Sequence, residues 1–346
     1  MIGCPLPHVE DDRVLLGHGA GGRLSAELLD TLVLPALTPG STTATGPLED
    51  AAVLPGDDGL VLTTDGFVVS PLFFPGGDIG ALAVHGTVND LAMRGAQPLA
   101  LTVALVVEEG LRLSELGAVL ASLGAAARDA GVPVVAGDTK VVNRGQADKL
   151  FITTTGVGRR VAGLSPSAAH ARPGDAVLLS GPIGAHGTAV LSVRENLGFV
   201  SDVVSDTRPL HRLVRELAPL GADVHALRDP TRGGLAASLN EIARDSRVQV
   251  EIDERVLPVP APVAAACDLL GLDPLHVANE GCLVAFVGRD SAARALRLMR
   301  SLPEGAHAVR IGEVTEGPPG RVVLRTLVGA RRIVDLPLGE QLPRIC

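Results

Sequence analysis

The chain has no tryptophan and no tyrosine, and phenylalanine occurs only 6 times in 346 residues. Aromatic platforms on which the bases of a single strand could stack are therefore nearly missing. A basic face is missing too: the formal net charge is -9 and the pI about 5.5, the wrong sign for holding a phosphate backbone. Nucleic acid is not an expected partner. Cysteine is scarce, and Cys4, Cys267, Cys282 and Cys346 form no CxxC pair, which argues against a zinc site; a chain of this length also needs no disulfide staples. The first residues carry Glu10, Asp11 and Asp12 where a secretory signal would have a basic segment followed by an apolar one. The longest apolar run, 98–107, is far too short to span a bilayer. A cytoplasmic, reducing setting is expected, with no membrane partner and with Cys346 as a free thiol.

What is present is a globular balance, 46% hydrophobic and 20% charged, in a chain long enough to divide into two domains. Its last residue is its most reactive one. The ending Leu342-Pro343-Arg344-Ile345-Cys346 follows a Pro-rich segment without helical periodicity, and termini are mobile unless tied down. At roughly 3.3 Å per extended residue, 336–346 can sweep on the order of 35 Å, enough for one thiol to visit an internal pocket and then an external partner. Arg344 lowers the thiol pKa and the adjacent terminal carboxylate raises it, so no strong intrinsic activation is expected. A prenylation signal is excluded, because residues would have to follow the cysteine.

Along the chain, 14–23 reads as a short strand running into a glycine-rich turn in which Gly17, Gly19 and Gly22 satisfy GxGxxG. The strand is marginal and no βαβ unit closes on an acidic residue, so a Rossmann site is rejected; the loop either lies over phosphates or turns a corner. Strands are expected at 49–53 and 60–66, then a helix over 79–94, a buried strand over 98–107, a helix over 114–129 opened by a Ser114 cap and closed by Gly131, and a strand over 132–136. That last strand delivers Gly137-Asp138-Thr139-Lys140, with the Asp138 and Lys140 side chains on one face. A strand at 149–156 precedes the linker-like 164–174, which sets the boundaries at 1–163 for an N-terminal domain, 164–335 for a C-terminal α/β domain and 336–346 for the tail. The second half repeats strands and helices, including helices over 207–220, 235–244, 261–270 and 292–301. Within it, Arg228-Asp229-Pro230-Thr231-Arg232-Gly233-Gly234 opens a helix whose unpaired N–H groups suit an anion.

Carboxylates gather at strand ends and turns: Asp50, Asp65, Asp90, Asp138, Asp229 and Glu280. Any one of them is more often a turn residue or helix cap than a ligand. Several together would repel a nucleotide triphosphate unless hard cations sit between the two sets of oxygens. The set is a metal and nucleotide site, or it is a solvated surface.

The runs GHGAGG (17–22), PLFFPGGDIG (71–80), GTVNDLA (86–92), GDTKVV (137–142), DKLFITT (148–154), RDPTRGG (228–234), ANEG (278–281) and the terminal PRIC (343–346) resemble the HypE family of hydrogenase maturation factors. The match runs in order from Val14 to Cys346; its Asp and Gly motifs are shared with the wider aminoimidazole ribonucleotide synthetase-like ATP enzymes. The resemblance implies two α/β domains with an ATP cleft between them, an antiparallel first sheet that pairs with its twin in a homodimer, and a mobile tail. It implies that Cys346 receives a carbamoyl group from the carbamoyltransferase HypF, that ATP drives dehydration of that group to a thiocyanate, and that the nitrile passes to iron on HypC and HypD. By the same resemblance Asp65, Asp90 and Asp138 hold Mg²⁺. Gly19, Gly21, Gly22, Asp50, Asn89, Thr139, Lys140, Asp229, Thr231 and Arg232 meet the nucleotide, and Cys346, Lys140 and Glu280 are catalytic, Glu280 as general base. Two other readings remain: a synthetase or kinase of the same superfamily acting on a small free substrate, which leaves PRIC unexplained, and a non-catalytic carrier that only presents Cys346.

Overall fold

A computed structural model describes residues 13–19, 22–37, 48–54, 59–196, 202–336 and 344–346. The N-terminal unit comprises α1 (Arg23–Leu28), α2 (Leu34–Leu37), β1 (Ala52–Val53), β2 (Leu60–Phe67), β3 (Phe73–Phe74), β4 (Gly77–Asp78), α3 (Ile79–Met93), β5 (Ala96–Glu108), α4 (Leu113–Ala130), β6 (Val134–Val142) and β7 (Leu150–Arg160). Its main sheet has the order β1-β2-β7-β5-β6. The expected antiparallel sheet is corrected at one edge, where β5 and β6 run parallel; a parallel pair needs a helical crossover, and α4 supplies it.

The C-terminal unit comprises β8 (Ala176–Leu179), α5 (Ala185–Arg194), α6 (His211–Glu216), β9 (Val224–Arg228), α7 (Gly234–Asp245), β10 (Gln249–Asp253), α8 (Ala261–Leu270), β11 (Val284–Val287), α9 (Ala292–Met299), β12 (Val309–Thr315), β13 (Arg321–Arg325) and β14 (Arg331–Ile333). Its seven-stranded sheet has the order β14-β13-β10-β12-β8-β11-β9. Both faces are covered, which is why β8 and β11 read as unbroken apolar runs. Val177, Leu179, Val284 and Phe286 pack with Leu235, Leu239 and Ile242 of α7, whereas Leu178, Ala285 and Val287 pack with Leu213 of α6 and Met299 of α9. No helix or strand lies in 161–175. That connection is nevertheless pinned: Glu49 accepts from the Ala168 N–H and the Ser167 hydroxyl and pairs with Arg94 at 2.7 Å.

The site is positioned by α3. Only Ala81 and Asp90 of its fifteen residues escape burial, since it contacts β2, β7 and α4 on its own side and α6 and β9 of the other unit; a helix apolar nearly all round belongs in such a place. Its first turn is fixed by Asp78, whose carboxylate accepts from the Gly80 and Ala81 N–H groups.

Several local expectations are corrected. The strand expected at 14–23 is a 3-10 turn, Leu16–Gly19, followed by α1. Helix α4 begins after Arg112 with no side-chain cap, so Ser114 lies inside its first turn. The helix expected over 207–220 shortens to α6, because Pro219 and Gly221 give a 3-10 segment with a non-helical break at Gly221. Finally, β6 runs on to Val142 alongside β5, which places 137–140 in mid-strand and not at a strand end.

Candidate active site

The two units meet around a cavity of about 250 Å³. Asp65 enters it from β2, Asp90 from α3, Asp229 from the turn after β9, Thr231 and Arg232 from the loop before α7, and Glu280 from the turn before β11. Asp50 comes from the residues leading into β1, and the terminal Cys346 completes the lining.

Asp50, Asp90 and Asp229 each offer an oxygen to a common space, all within 4.8 Å of one another. The Thr63 hydroxyl lies 2.9 Å from both Asp90 Oδ2 and the Asp50 carbonyl, tying α3 to β2 at this point. Arg228 approaches Asp50 at 3.2 Å through Nε and pairs with Glu241 through Nη2. Two carboxylate oxygens, Asp50 Oδ2 and Glu280 Oε1, are buried without a partner among the described residues. Such atoms are costly.

The electrostatics follow from withdrawal from water and mutual repulsion. Burial, opposed by Arg228, raises the Asp50 carboxyl well above its ordinary range. Burial and then the Asp229, Asp50 and Asp65 charges do the same to Asp90. Asp229 is pushed up to about 6, mainly by burial, and burial also raises Asp65. Glu280 is raised well above its usual range by burial and then by Asp229, Asp206 and Asp65. A cation among them relieves all of this at once, so hard oxygen ligands with two orphaned oxygens fit a divalent ion such as Mg²⁺. Arg232 is the counterweight: the charge of Cys346, then Asp65 and Glu280, favour its protonated form. Its Nη1 also donates to the Gly19 carbonyl at 3.3 Å, bringing the glycine loop beside the cavity.

Glu280 is held through its backbone. The Asp206 carboxylate accepts from the Glu280 N–H at 3.1 Å and the Gly281 N–H at 3.0 Å, and the Asn89 amide donates to the Glu280 and Arg208 carbonyls while accepting from the Leu210 N–H. Glycine is required at 281, where a Cβ would stand 1.8 Å from the Asp206 carbonyl oxygen. The chain end is held by similar means: the Val68 N–H donates to a terminal carboxylate oxygen of Cys346 at 3.2 Å and the Ser70 N–H to the Arg344 carbonyl oxygen at 3.3 Å.

Of the residues singled out by sequence, Asp50, Asp65, Asp90, Asp229, Thr231, Arg232, Glu280 and Cys346 come together here. The carboxylates that share one space are Asp50, Asp90 and Asp229, with Asp65 alongside, whereas Asp138 is elsewhere. Asp138, Thr139 and Lys140 lie on the exposed edge strand β6, where Lys140 Nζ sits 2.8 and 2.6 Å from the Asp138 oxygens and Thr139 N–H donates to Asp138; within one chain they do not reach the cavity. Asn89 commits its amide to backbone and does not line it. Gly22 precedes α1, and Gly21 lies outside the described residues. Three further residues shape the site without having been singled out: Arg228, which opens the RDPTRGG run, and Asp206 and Glu241, which stand in no recognisable motif.

Two family models divide the chain as the structure does: the N-terminal domain of AIR synthase related proteins matches 48–160, and the C-terminal domain matches 172–325. The class is therefore that of two-domain AIR synthase-related proteins, a fold shared with the thiamine monophosphate kinase of Aquifex aeolicus, which is 22% identical with a TM-score of 0.63 over 87% of this chain and 97% of that one. Within that class, the carbamoyl dehydratase HypE of Cupriavidus necator is 51% identical over 98% of this chain and 96% of that protein. A HypE structure in complex with ATP is 47% identical, with a TM-score of 0.81 over 96% of this chain and 100% of that one; HypE in a HypE-HypF complex is 48% identical, with a TM-score of 0.85 over 90% and 99%. The chain belongs to the HypE family of carbamoyl dehydratases.

A carboxylate whose pKa is raised by folding favours the folded state at low pH, and that contribution fades as pH rises from the unfolded value through the folded one. For Asp229 the window runs from about 4 to about 6. A cation that replaces those protons should therefore stabilise more at high pH. We expect Mg²⁺ to raise the melting temperature by several degrees at pH 8 and by little at pH 5; equal shifts at both, measured by scanning calorimetry, would remove the carboxylates as its ligands.

Proposed function

We propose that this cleft uses ATP to remove water from a carbamoyl group carried on Cys346, leaving a thiocyanate whose nitrile becomes the cyanide ligand of NiFe-hydrogenase iron. The observation that carries the reading is that the chain's own terminal cysteine lines the same cavity as Glu280 and the Asp50, Asp90 and Asp229 cluster. A relative solved with ATP and membership in the carbamoyl dehydratase family support it.

The chemistry has two demands. The carboxamide oxygen of the thiocarbamate is a poor leaving group and must depart as phosphate, so thiocarbamate and ATP give thiocyanate, ADP and phosphate. Both protons on nitrogen must also leave, the first to solvent as the oxygen is phosphorylated and the second to a base as phosphate departs and the C≡N bond forms. Glu280, raised by burial and held from behind by Asp206 and Asn89, is the base for the nitrogen proton. Arg232 faces the end of the tail and offsets negative charge that develops there. Asp50, Asp90 and Asp229, with Asp65 beside them, would hold Mg²⁺, whose charge allows phosphate oxygens to approach this acidic wall.

The β6 strand suggests the assembly. It is a sheet edge whose residues are almost all exposed, with Val135 at 62% and Val141 at 69%. An apolar, unprotected edge is a template for pairing. A second copy paired there makes a homodimer and covers Asp138, Thr139 and Lys140, whose part in handling nucleotide depends on that assembly. HypF is the source of the carbamoyl group, as a complex of a relative with it suggests, and HypC with HypD is the acceptor of the nitrile. The setting is the cytoplasm, where the Cys346 thiol stays reduced; among the described residues no helix is long and apolar enough to cross a membrane.

ATP turnover tests the reading. Hydrolysis should be productive only when Cys346 is carbamoylated, vanish in Cys346→Ala, and fall by roughly 10²–10⁴-fold in Glu280→Gln while carbamoyl loading proceeds. Carbamoyl-independent turnover in Cys346→Ala would instead support an enzyme acting on a free substrate, and no turnover at all a passive carrier. The dimer is tested by Val135→Glu, which should halve the mass seen in sedimentation; an unchanged mass would place the interface elsewhere.

A further inference from the structure

The end of the chain is gripped by groups outside the carboxylate cluster. Ile345 is 3% exposed and sits in the core of the N-terminal unit. His186 of α5, wholly buried, places Nε2 2.8 Å from the Ile345 carbonyl oxygen and Nδ1 2.8 Å from Ser205 Oγ. A carbonyl oxygen only accepts, so Nε2 carries the hydrogen and Nδ1 accepts from the Ser205 hydroxyl. The Thr207 N–H donates to Ser205 Oγ at 3.1 Å, and Phe74 packs edge-on against the imidazole with centroids 5.3 Å apart. The ring is thereby fixed in tautomer and in orientation.

Further along the same helix, Arg194 donates Nε to the Ser70 carbonyl at 2.8 Å and Nη2 to the Arg344 carbonyl at 2.6 Å. It thus bridges the tail and the segment on which the tail lies. Arg344 itself has φ +53°, a left-handed backbone that L side chains adopt only when their surroundings over-determine it. Its side chain donates to Asp148 at 2.6 Å and to the Val68 carbonyl at 3.0 Å. The donors from His186, Arg194, Val68 and Ser70 all meet main-chain oxygens of 344–346. None of these contacts involves the sulfur.

We propose that His186 and Arg194 are positioning residues forming a latch that holds the chain end in the cleft by its backbone, whatever group the Cys346 sulfur carries. The same grip then serves the free thiol, the carbamoylated form and the thiocyanate, and the arrival and departure of the tail are governed by how firmly the latch holds. The inference rests on the carrier role of Cys346 given above, but its test does not use the dehydration reaction.

Full-length protein is treated with iodoacetamide, and alkylation of Cys346 and of the buried Cys282 is followed by peptide mass. Arg194 lies at the partly exposed end of α5, so Arg194→Ala leaves the fold intact. We expect it to speed alkylation of Cys346 about tenfold, the factor that follows from losing a hydrogen bond made by a charged donor, with Cys282 still protected and ATP affinity unchanged. Arg194→Lys keeps one donor and should restore most of the protection; His186→Gln should loosen the tail as Arg194→Ala does. An unchanged Cys346 rate in Arg194→Ala, with Cys282 protected, overturns the latch. Exposure of Cys282 in His186→Gln would mean that this variant has lost its fold, and the two Arg194 variants then decide. A faster Cys346 reaction in a protein that never dehydrates its carbamoyl group would uphold the latch and defeat the proposed function instead.

Discussion

Asp50, Asp90 and Asp229 crowd into a corner where burial raises the proton affinity of all three and the charge of Asp229 adds to that of the other two, and most of the architecture follows from having to hold them there. They come from three distant parts of the chain, so the corner exists only where the N-terminal sheet and α3 meet the end of β9. Asp90 is the hinge of this arrangement, one of only two residues of α3 that escape burial. The cost of confining so much negative charge is met by whatever cation the site receives, and by Arg228 and Arg232 on the C-terminal side. An acidic wall of this kind selects a ligand that arrives with its own positive charge.

The second constraint is that a base and a chain terminus must face that wall together. The segment 205–210 serves both. Asp206 fixes the Glu280 turn through two N–H bonds, Arg208 and Leu210 close on Asn89, and Ser205 orients His186 against the tail. The Glu280 turn and, through His186, the chain end are thus positioned from one piece of chain. This accounts for the demand for glycine at 281, where the turn presses against the Asp206 carbonyl.

Much of the fold was legible because local chemistry agreed with the tertiary outcome. The helix over 261–270 was readable to the residue from Pro262 in its first turn and from Gly271, which caps its end at φ +68°, and Gly131 stopped α4 in the same way. The polar stretch 137–140 misled: it reads as the end of a strand, but pairing with β5 carries β6 on to Val142. Within the site, the carboxylates and Arg232 could be found because they stand beside small residues in motifs. Asp206 and His186 could not, since a lone Asp in a loop and a lone His on an apolar helix carry no local pattern; their partners lie 74 and 159 residues away. Asn89 was legible as important from its motif, but the backbone groups its amide braces, at 208, 210 and 280, are too distant in sequence to be read there. The terminus looked free in sequence for the same reason, its partner Val68 lying 276 residues from Arg344.

The central claim is that one cleft converts a carbamoyl group on its own chain end into a thiocyanate. Intact mass spectrometry of the full-length protein, loaded with a carbamoyl group on Cys346 and then given ATP and Mg²⁺, tests it most directly. The expected result is loss of the mass of one water, located on the C-terminal peptide, with one ATP consumed per chain. Retention of the full carbamoyl mass while ATP is hydrolysed, or loss of the whole group to give back the free thiol, would contradict it.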